Sequence, residues 1–343
     1  MKLLCWEGYE SDSILGEFSR QHQIQSTAQT LLSDTATAHS LLNGGHEHWD
    51  VLNINNPWVR DFLCQHQLIQ TLDRDRFSHT LDNLLPEFDR LAHWAYNDAG
   101  DIVGVCQRFG AFNFVVNTDR IDQSSAEDQG FDLANDRNRR FGILRYDDFN
   151  LFHICIGAGL NPLAELDHHA LDLFSTTAHD WFARARIVSD DHLLLNRALA
   201  SGEIDFYISG GVYTVSESRL AGHNNLRAVT PARGSIDGHG AIVFAEITSV
   251  LKHANTAAHA ADFLEFITRP EISVRIATSA NTLNPVAQMA DPAVFRKFTR
   301  QQLDAIQWDT LSEDISRCEM YRVPPDHTEL HSRLKAARDS AVT

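Results

Sequence analysis

Short apolar runs alternate with helical patterns through the first 56 residues, and this alternation constrains the fold more than any other feature. The run 2–6 predicts a buried strand, and the periodic segment 12–21 after it predicts a helix. A short strand at 24–26, a helical stripe over 27–42 and a strand at 49–54 are predicted to follow. Two strand–helix units in succession predict a parallel, doubly wound α/β sheet, because crossover helices cover both faces of such a sheet.

Length and charge limit the classes of function. A chain of 343 residues predicts about two domains, and 43% hydrophobic with 22% charged residues is typical of a globular protein. The formal net charge of −17 argues against a nucleic-acid partner and against a polybasic membrane surface. An acidic field favours cationic ligands, although acidity more often serves solubility alone. No stretch is long and apolar enough to predict a membrane-embedded chain.

The sequence contains no recognisable catalytic or metal-binding motif. The five cysteines are odd in number and widely spaced, without a CxxC pair, and no HExxH occurs among the eighteen histidines. No GxSxG, Cys–His or P-loop signature is present. We therefore predict no catalytic residues, no metal site and no cofactor.

The N-terminus shows no secretory signal. The chain enters its first predicted strand at once, without a charged segment, an apolar core and a small-residue cleavage site. Three interpretations stay open: a processed chain with an added Met, a start assigned at the wrong codon, and a protein that stays in the cytoplasm.

Polar and aromatic side chains follow the predicted strands. Trp6 and Tyr9 lie after the first strand, and Asn55 and Trp58 lie after the third. Helix N-termini at strand ends are where α/β proteins hold ligands, so these residues are candidate contacts. Core packing explains Trp6 equally well, and a helix beginning at Pro57 explains the second pair equally well.

Three carboxylates are candidates for a ligand amine. Asp147 and Asp148 open a predicted helix, where acids also cap free N–H groups and complement the helix dipole. Glu246 lies within the apolar strand 242–247, where a carboxylate is costly to bury unless it is paired. We expect Glu246 to pair either with a ligand amine or with a buried structural partner.

The segment 102–117, IVGVCQRFGAFNFVVN, has two β-rich runs around Arg108 and Gly110. Glycine between rigid strands suits a hinge, and an ordinary hairpin or an interior strand pair is the alternative. Arg108 is placed either to meet a ligand carboxylate or to form a salt bridge.

These segments together resemble the mature spermidine/putrescine-binding proteins, which are type II periplasmic solute-binding proteins of ABC importers. The resemblance runs through essentially the whole chain. It rests on the order of these motifs: Trp6 with Tyr9, Leu68–Asp73, Phe109-Gly110 with Asn117 and Asp119, Gly202–Gly211, and the helix His259–Glu271.

The resemblance implies an α/β fold of type II periplasmic-binding-protein class, with two doubly wound lobes and a hinge. Matching implies a first lobe of residues 1–107 plus 238–284 and a second of 110–234 plus 288–343. The hinge is then expected near 107–111 and 231–240. The resemblance also implies a monomer in the periplasm with an ABC permease as partner.

The resemblance also implies which residues contact the ligand. In the family, an aromatic residue and an acid on the strand that leads back to the first lobe contact the ligand, and they match Phe244 and Glu246. A pair of acidic residues in the family matches Asp147 and Asp148, and a Trp that stacks on the ligand in the family is replaced here by Ser209. The complete predicted set is Trp6, Tyr9, Asn55, Trp58, Arg108, Phe109, Asp147, Asp148, Ser209, Phe244 and Glu246.

The departures indicate a ligand other than spermidine. Asn150 replaces a family Glu and Ser209 replaces the Trp, while Arg108 and Arg145 add positive charge nearby. The prediction is a non-enzymatic binding protein for a small polyamine-like or amino-acid-like zwitterionic amine. A cytoplasmic enzyme and a sensor on the same fold are the alternatives.

Overall fold

The computed structural model describes residues 1–88, 92–253, 258–280 and 282–341. The chain forms two compact units. Unit 1 comprises Met1–Phe109 and Phe244–Arg300, and unit 2 comprises Gly110–Val243 and Gln301–Thr343. In the described part of the chain, no helix has both the length and the apolar character that a bilayer span needs.

Strands and helices alternate along most of the chain. The strands are β1 (Lys2–Cys5), β2 (Thr27–Thr30), β3 (Val51–Asn55), β4 (Val105–Asn117), β5 (Phe141–Leu144), β6 (Ile187–Ser189), β7 (Phe206–Gly210), β8 (Leu226–Val229), β9 (Ala241–Val250) and β10 (Cys318–Met320). The α-helices are α1 (Glu17–His22), α2 (Asp34–Leu42), α3 (Arg74–Asp82), α4 (Gln123–Gln129), α5 (Asp147–Gly157), α6 (His168–Arg184), α7 (His192–Ser201), α8 (Val212–Leu220), α9 (Ala260–Ile267), α10 (Pro270–Ala277), α11 (Pro292–Phe295), α12 (Arg300–Ala305), α13 (Leu311–Ser316) and α14 (His327–Ala341). Two π-helical segments, Asp12–Gly16 and Trp58–Leu63, follow β1 and β3.

The sheet of unit 1 begins with three parallel strands. β1 lies between β2 and β3 and runs parallel to both, and β3 pairs antiparallel with β9. Every residue of β3 is buried, as expected for a strand that is covered on both faces. Phe263 of the helix α9 belongs to the buried cluster that includes Leu3 and Val51 of this sheet, and its ring meets Phe18 of α1 edge-on at 5.1 Å.

Two local predictions for this region are wrong. The second strand was expected at 24–26 but lies at Thr27–Thr30, and its helix begins only at Asp34, because the Ser33 side chain caps the helix by accepting from Ala36 N–H. The interruption expected between two β-rich runs at Arg108 and Gly110 is also absent. The buried strand β4 continues through both residues, and Gly110 has no positive φ.

The sheet of unit 2 combines parallel and antiparallel pairs. β7 pairs antiparallel with β4 and parallel with β5, and β5 pairs parallel with β6. β8 pairs antiparallel with β4 along the edge opposite to β7. β10 pairs parallel with the first residues of β9. The last helix, α14, contacts α6 through Arg333, which donates to Asp172 and Ser175.

Candidate functional site

A buried network joins three of the predicted site residues in unit 1. The Tyr9 hydroxyl donates to Glu246 Oε2 at 2.8 Å, and Arg108 Nε lies 3.0 Å from both oxygens of that carboxylate. Arg108 Nη2 donates to the carbonyl of Glu7 at 3.0 Å. The guanidinium also lies 5.1 Å from the centre of the Tyr9 ring. The carboxylate of Glu246 is therefore held by two side chains of its own unit.

The backbone delivers these groups from two strands and a turn. Glu246 on β9 is the direct partner of Asn55 on β3, and Arg108 comes from β4. Tyr9 reaches the carboxylate through the turn at Gly8, whose φ is +107°. A Cβ at Gly8 would lie 2.1 Å from Ser279 Oγ, so both the dihedral and the space require glycine there.

Burial and charge act together on the ionisation of this network. Burial raises the pKa of Tyr9 well above its ordinary value, and the Glu246 carboxylate raises it further. Burial also raises the pKa of Glu246, while Arg108 and the Tyr9 hydroxyl oppose that shift. Burial acts to lower the pKa of Arg108, but Glu246, Tyr9 and Glu7 together raise it above its ordinary value. Of the two partners left open for Glu246, the structure supplies a structural one.

A second carboxylate of unit 1, Asp34, lies beside Trp6 and Asn55. The indole Nε1 of Trp6 donates to Asp34 Oδ1 at 3.1 Å, and Asn55 Nδ2 donates to Oδ2 at 2.6 Å. Asp34 is fully buried at the first position of α2. Asp34 was not among the predicted contacts because the helix was expected to begin at residue 27, although Ser33 followed by an acid is a recognisable helix start.

The other predicted contacts of unit 1 are packed inside it. Trp58 is 1% exposed, and its ring meets Phe62 edge-on at 5.6 Å. Phe109 meets Phe88 in the same way at 5.0 Å, and Phe244 is buried. Trp6, by contrast, is only partly buried.

The acidic pair of unit 2 contacts the C-terminal helix. Asp147, at the start of α5, accepts from Arg338 and lies 3.9 Å from His331 Nε2. Asp148 is buried and lies 3.4 Å from His327 Nε2. Both carboxylates therefore have partners on α14.

Ser209 is held inside unit 2 at the end of β7. Its φ is +65°, and its hydroxyl accepts from Asn150 Nδ2 at 2.6 Å and lies 2.8 Å from His153 Nδ1. Burial lowers the pKa of His153 to about 3. A serine beside a histidine at a strand-to-helix turn resembles a nucleophile, but both side chains are 0% exposed. This pair is therefore closed to a substrate in the structure.

An aromatic cluster of unit 2 is formed mostly by residues that are close in sequence to Asn150 and Ser209. Phe112 stacks on Phe149 with ring centres 3.3 Å apart, and Tyr146 meets Phe149 edge-on at 4.5 Å. Tyr213 meets Phe112 at 5.4 Å. Tyr146 and Tyr213 are only partly buried, so unit 2 offers aromatic surface there. Tyr146 could have been noticed because it directly precedes the acidic pair.

Comparisons with known proteins were made by sequence and by structure. No family model matches the chain, and a search of the curated proteins gives no match. The structure is similar to the spermidine/putrescine ABC transporter substrate-binding protein PotD of Streptococcus pneumoniae, with 15% identity, a TM-score of 0.68, and 98% of this chain and 99% of that chain covered.

Two further solved structures are similar over their full length. One is the TpPotD lipoprotein of Treponema pallidum, with 15% identity, a TM-score of 0.74 and 99% of both chains covered. The other is the PBP MotA of A. tumefaciens in complex with glucopine, with 12% identity, a TM-score of 0.63, and 99% of this chain and 98% of that chain covered. The chain therefore has the two-lobed α/β fold of type II periplasmic binding proteins, which confirms the predicted fold class.

Proposed function

We propose that this chain is a solute-binding protein that captures a small amine-bearing ligand for an ABC importer and does not alter it chemically. The observation that carries the proposal is the likeness over 98% of this chain and 99% of the other to a substrate-binding protein named for spermidine and putrescine. An insertion in either chain or a missing lobe would have lowered the covered fraction of one of the two chains.

The proposed amine contact in unit 1 is the group formed by Trp6, Asp34 and Asn55. Asp34 is 0% exposed, so a ligand ammonium group would reach its carboxylate only after movement of the Trp6 indole that donates to it. The carboxylate would then favour the ammonium group through a charge-assisted hydrogen bond. The partly exposed indole of Trp6 adds a face for cation–π contact with the same charge. This group follows β1 and β3, at the strand ends where α/β proteins hold ligands.

The remaining predicted site residues are proposed to shape the walls. In unit 1 the ion pair of Arg108 and Glu246, with Tyr9, would fix the strand ends, and Trp58, Phe109 and Phe244 would support them from inside. In unit 2, Asp147 and Asp148 would fix the start of α5, and Ser209 would hold the end of β7, so that Tyr146 and Tyr213 present aromatic surface.

The proposal extends to partners and location. We propose an exported protein that acts as a monomer and delivers its ligand to an ABC permease. The predicted lobes, 1–107 with 238–284 and 110–234 with 288–343, would move about a hinge at 107–111 and 231–240. β4 supports the first hinge segment, because the chain passes from unit 1 to unit 2 at Phe109–Gly110 within it. The return to unit 1 lies in β9 at Val243–Phe244, just after the second segment.

The test is a binding screen with a matched pair of variants. Monoamines, diamines and ω-amino acids are added to the native protein, and the melting temperature and calorimetric heat are measured. We expect a saturable rise in melting temperature without turnover. Asp34→Asn should weaken the best ligand by about tenfold or more, because a charge-assisted bond contributes about 1.5–3 kcal/mol.

The control variant is Asp98→Asn, which removes a carboxylate whose side chain is 85% exposed. It should bind like the native protein. Absence of any saturable amine ligand would overturn the proposal, and chemical turnover of a ligand would replace it with an enzyme. If the native protein and Asp34→Asn bind the ligand equally well, the proposed function as a binding protein stands, but the assignment of Asp34 as the amine contact is refuted.

A further inference from the structure

Two histidines and an aspartate of unit 1 lie together although their sequence positions are far apart. His22 ends α1, His259 directly precedes α9, and Asp262 lies in the first turn of α9. One ligand atom from each of the three lies within 4.8 Å of the others. All three side chains are partly exposed, so an ion from solution can reach them.

Contacts around the cluster hold its members in place. The Phe18 ring packs against the His22 ring at 4.3 Å, and the His22 and His259 rings meet edge-on at 5.4 Å. Arg76 Nη2 donates to Asp262 Oδ1 at 2.5 Å, which leaves Oδ2 to face His259 Nδ1 at 2.8 Å. Metal-binding carboxylates and imidazoles are commonly oriented by neighbours of this kind.

We propose that His22, His259 and Asp262 form a binding site for a transition-metal ion, with Zn²⁺ as the best fit. Two imidazoles and one carboxylate are ligands that Zn²⁺ accepts, and three protein ligands leave one position for water. Ligand atoms around a tetrahedral zinc ion lie about 3.3 Å apart. The three ligand atoms lie within 4.8 Å of one another, so the partly exposed side chains need to close each separation by at most about 1.5 Å.

The site would join two segments that are distant in sequence. A bound ion would link the C-terminal end of α1 to the beginning of α9, and the stabilisation of unit 1 would grow with the logarithm of the ion concentration above the dissociation constant. Motif searches for HxH or HExxH do not detect such a site, because its ligands come from different helices.

The test is calorimetric titration of ZnCl₂ into the untagged, chelator-treated full chain. We expect one equivalent to bind first, and His22→Gln or His259→Gln to weaken that equivalent at least about tenfold. The matched control is the double variant His168→Gln/His169→Gln, which removes two adjacent exposed imidazoles and should leave it unchanged.

Two measurements keep the result decisive. Melting curves in chelator must show that the variants fold like the native protein, and imidazole NMR signals of His22 and His259 in the native protein should shift together as Zn²⁺ is added. Absence of a stoichiometric equivalent would overturn the site. So would an equivalent that the His22→Gln and His259→Gln variants bind as tightly as the native protein.

Discussion

Removing Arg108 tests whether the buried network of unit 1 is organised by charge compensation. Arg108 is 3% exposed and the Glu246 side chain is 9% exposed, so Arg108→Met would leave a buried carboxylate without its cation. Such single removals cost about 3–5 kcal/mol, because the remaining charge has lost its compensation. For a unit of this size, about 4 kcal/mol corresponds to a fall in melting temperature of about 8–16 °C.

The pH dependence of that loss gives the sharper assay. Burial raises the pKa of Glu246 and Arg108 opposes the shift, so the pKa rises further when Arg108 is removed. An acid whose folded-state pKa is raised destabilises the fold as pH increases through that value. The deficit of Arg108→Met against the native protein should therefore be larger at pH 8 than at pH 5, as measured by differential scanning calorimetry.

The control is Arg20→Met, which removes an arginine whose ion pair with Asp12 is exposed. It should change the melting temperature little at either pH. A fall of less than about 2 °C for Arg108→Met, or a deficit that does not change with pH, would refute charge compensation as the role of this pair.

Three further substitutions test other parts of the structure by chemical denaturation. Gly8→Ala should destabilise by about 1–3 kcal/mol, because φ is +107° and Ser279 occupies the space of the new Cβ. Trp58→Ala should cost about 3–5 kcal/mol, because its ring is 1% exposed. The buried His153, with its pKa lowered to about 3, should make unit 2 lose about 1.4 kcal/mol per pH unit as the pH falls from about 6.5, and His153→Gln should flatten this loss.

The fold was largely predictable because its signals are local. β1, β3 and the helix after β1 follow from short-range periodicity, and the order of motifs identified the fold class. The second strand was misplaced because β2 alternates half-buried and exposed residues, so it lacks the continuous apolar run of β1 or β3. β4 was divided in two because Arg108 and Gly110 interrupt the apolar pattern although the backbone stays extended.

The side-chain partners of the site were less predictable because they are distant in sequence. Tyr9 and Glu246 are 237 positions apart, and Arg108 and Glu246 are 138 positions apart. The sequence identified each as a candidate but left open whether Glu246 serves a ligand or an internal partner. Local periodicity carries no information about which of two arginines reaches a given carboxylate.

Charge compensation changes which ligands the predicted residues favour. Arg108 neutralises Glu246, and Arg338 engages Asp147, so these carboxylates offer a ligand amine less net attraction than an isolated acid would. Trp6 and Asn55 donate to the Asp34 carboxylate and orient it. Asn55 is also the strand partner of Glu246, so the end of β3 connects the group around Asp34 to the ion pair of Arg108 and Glu246.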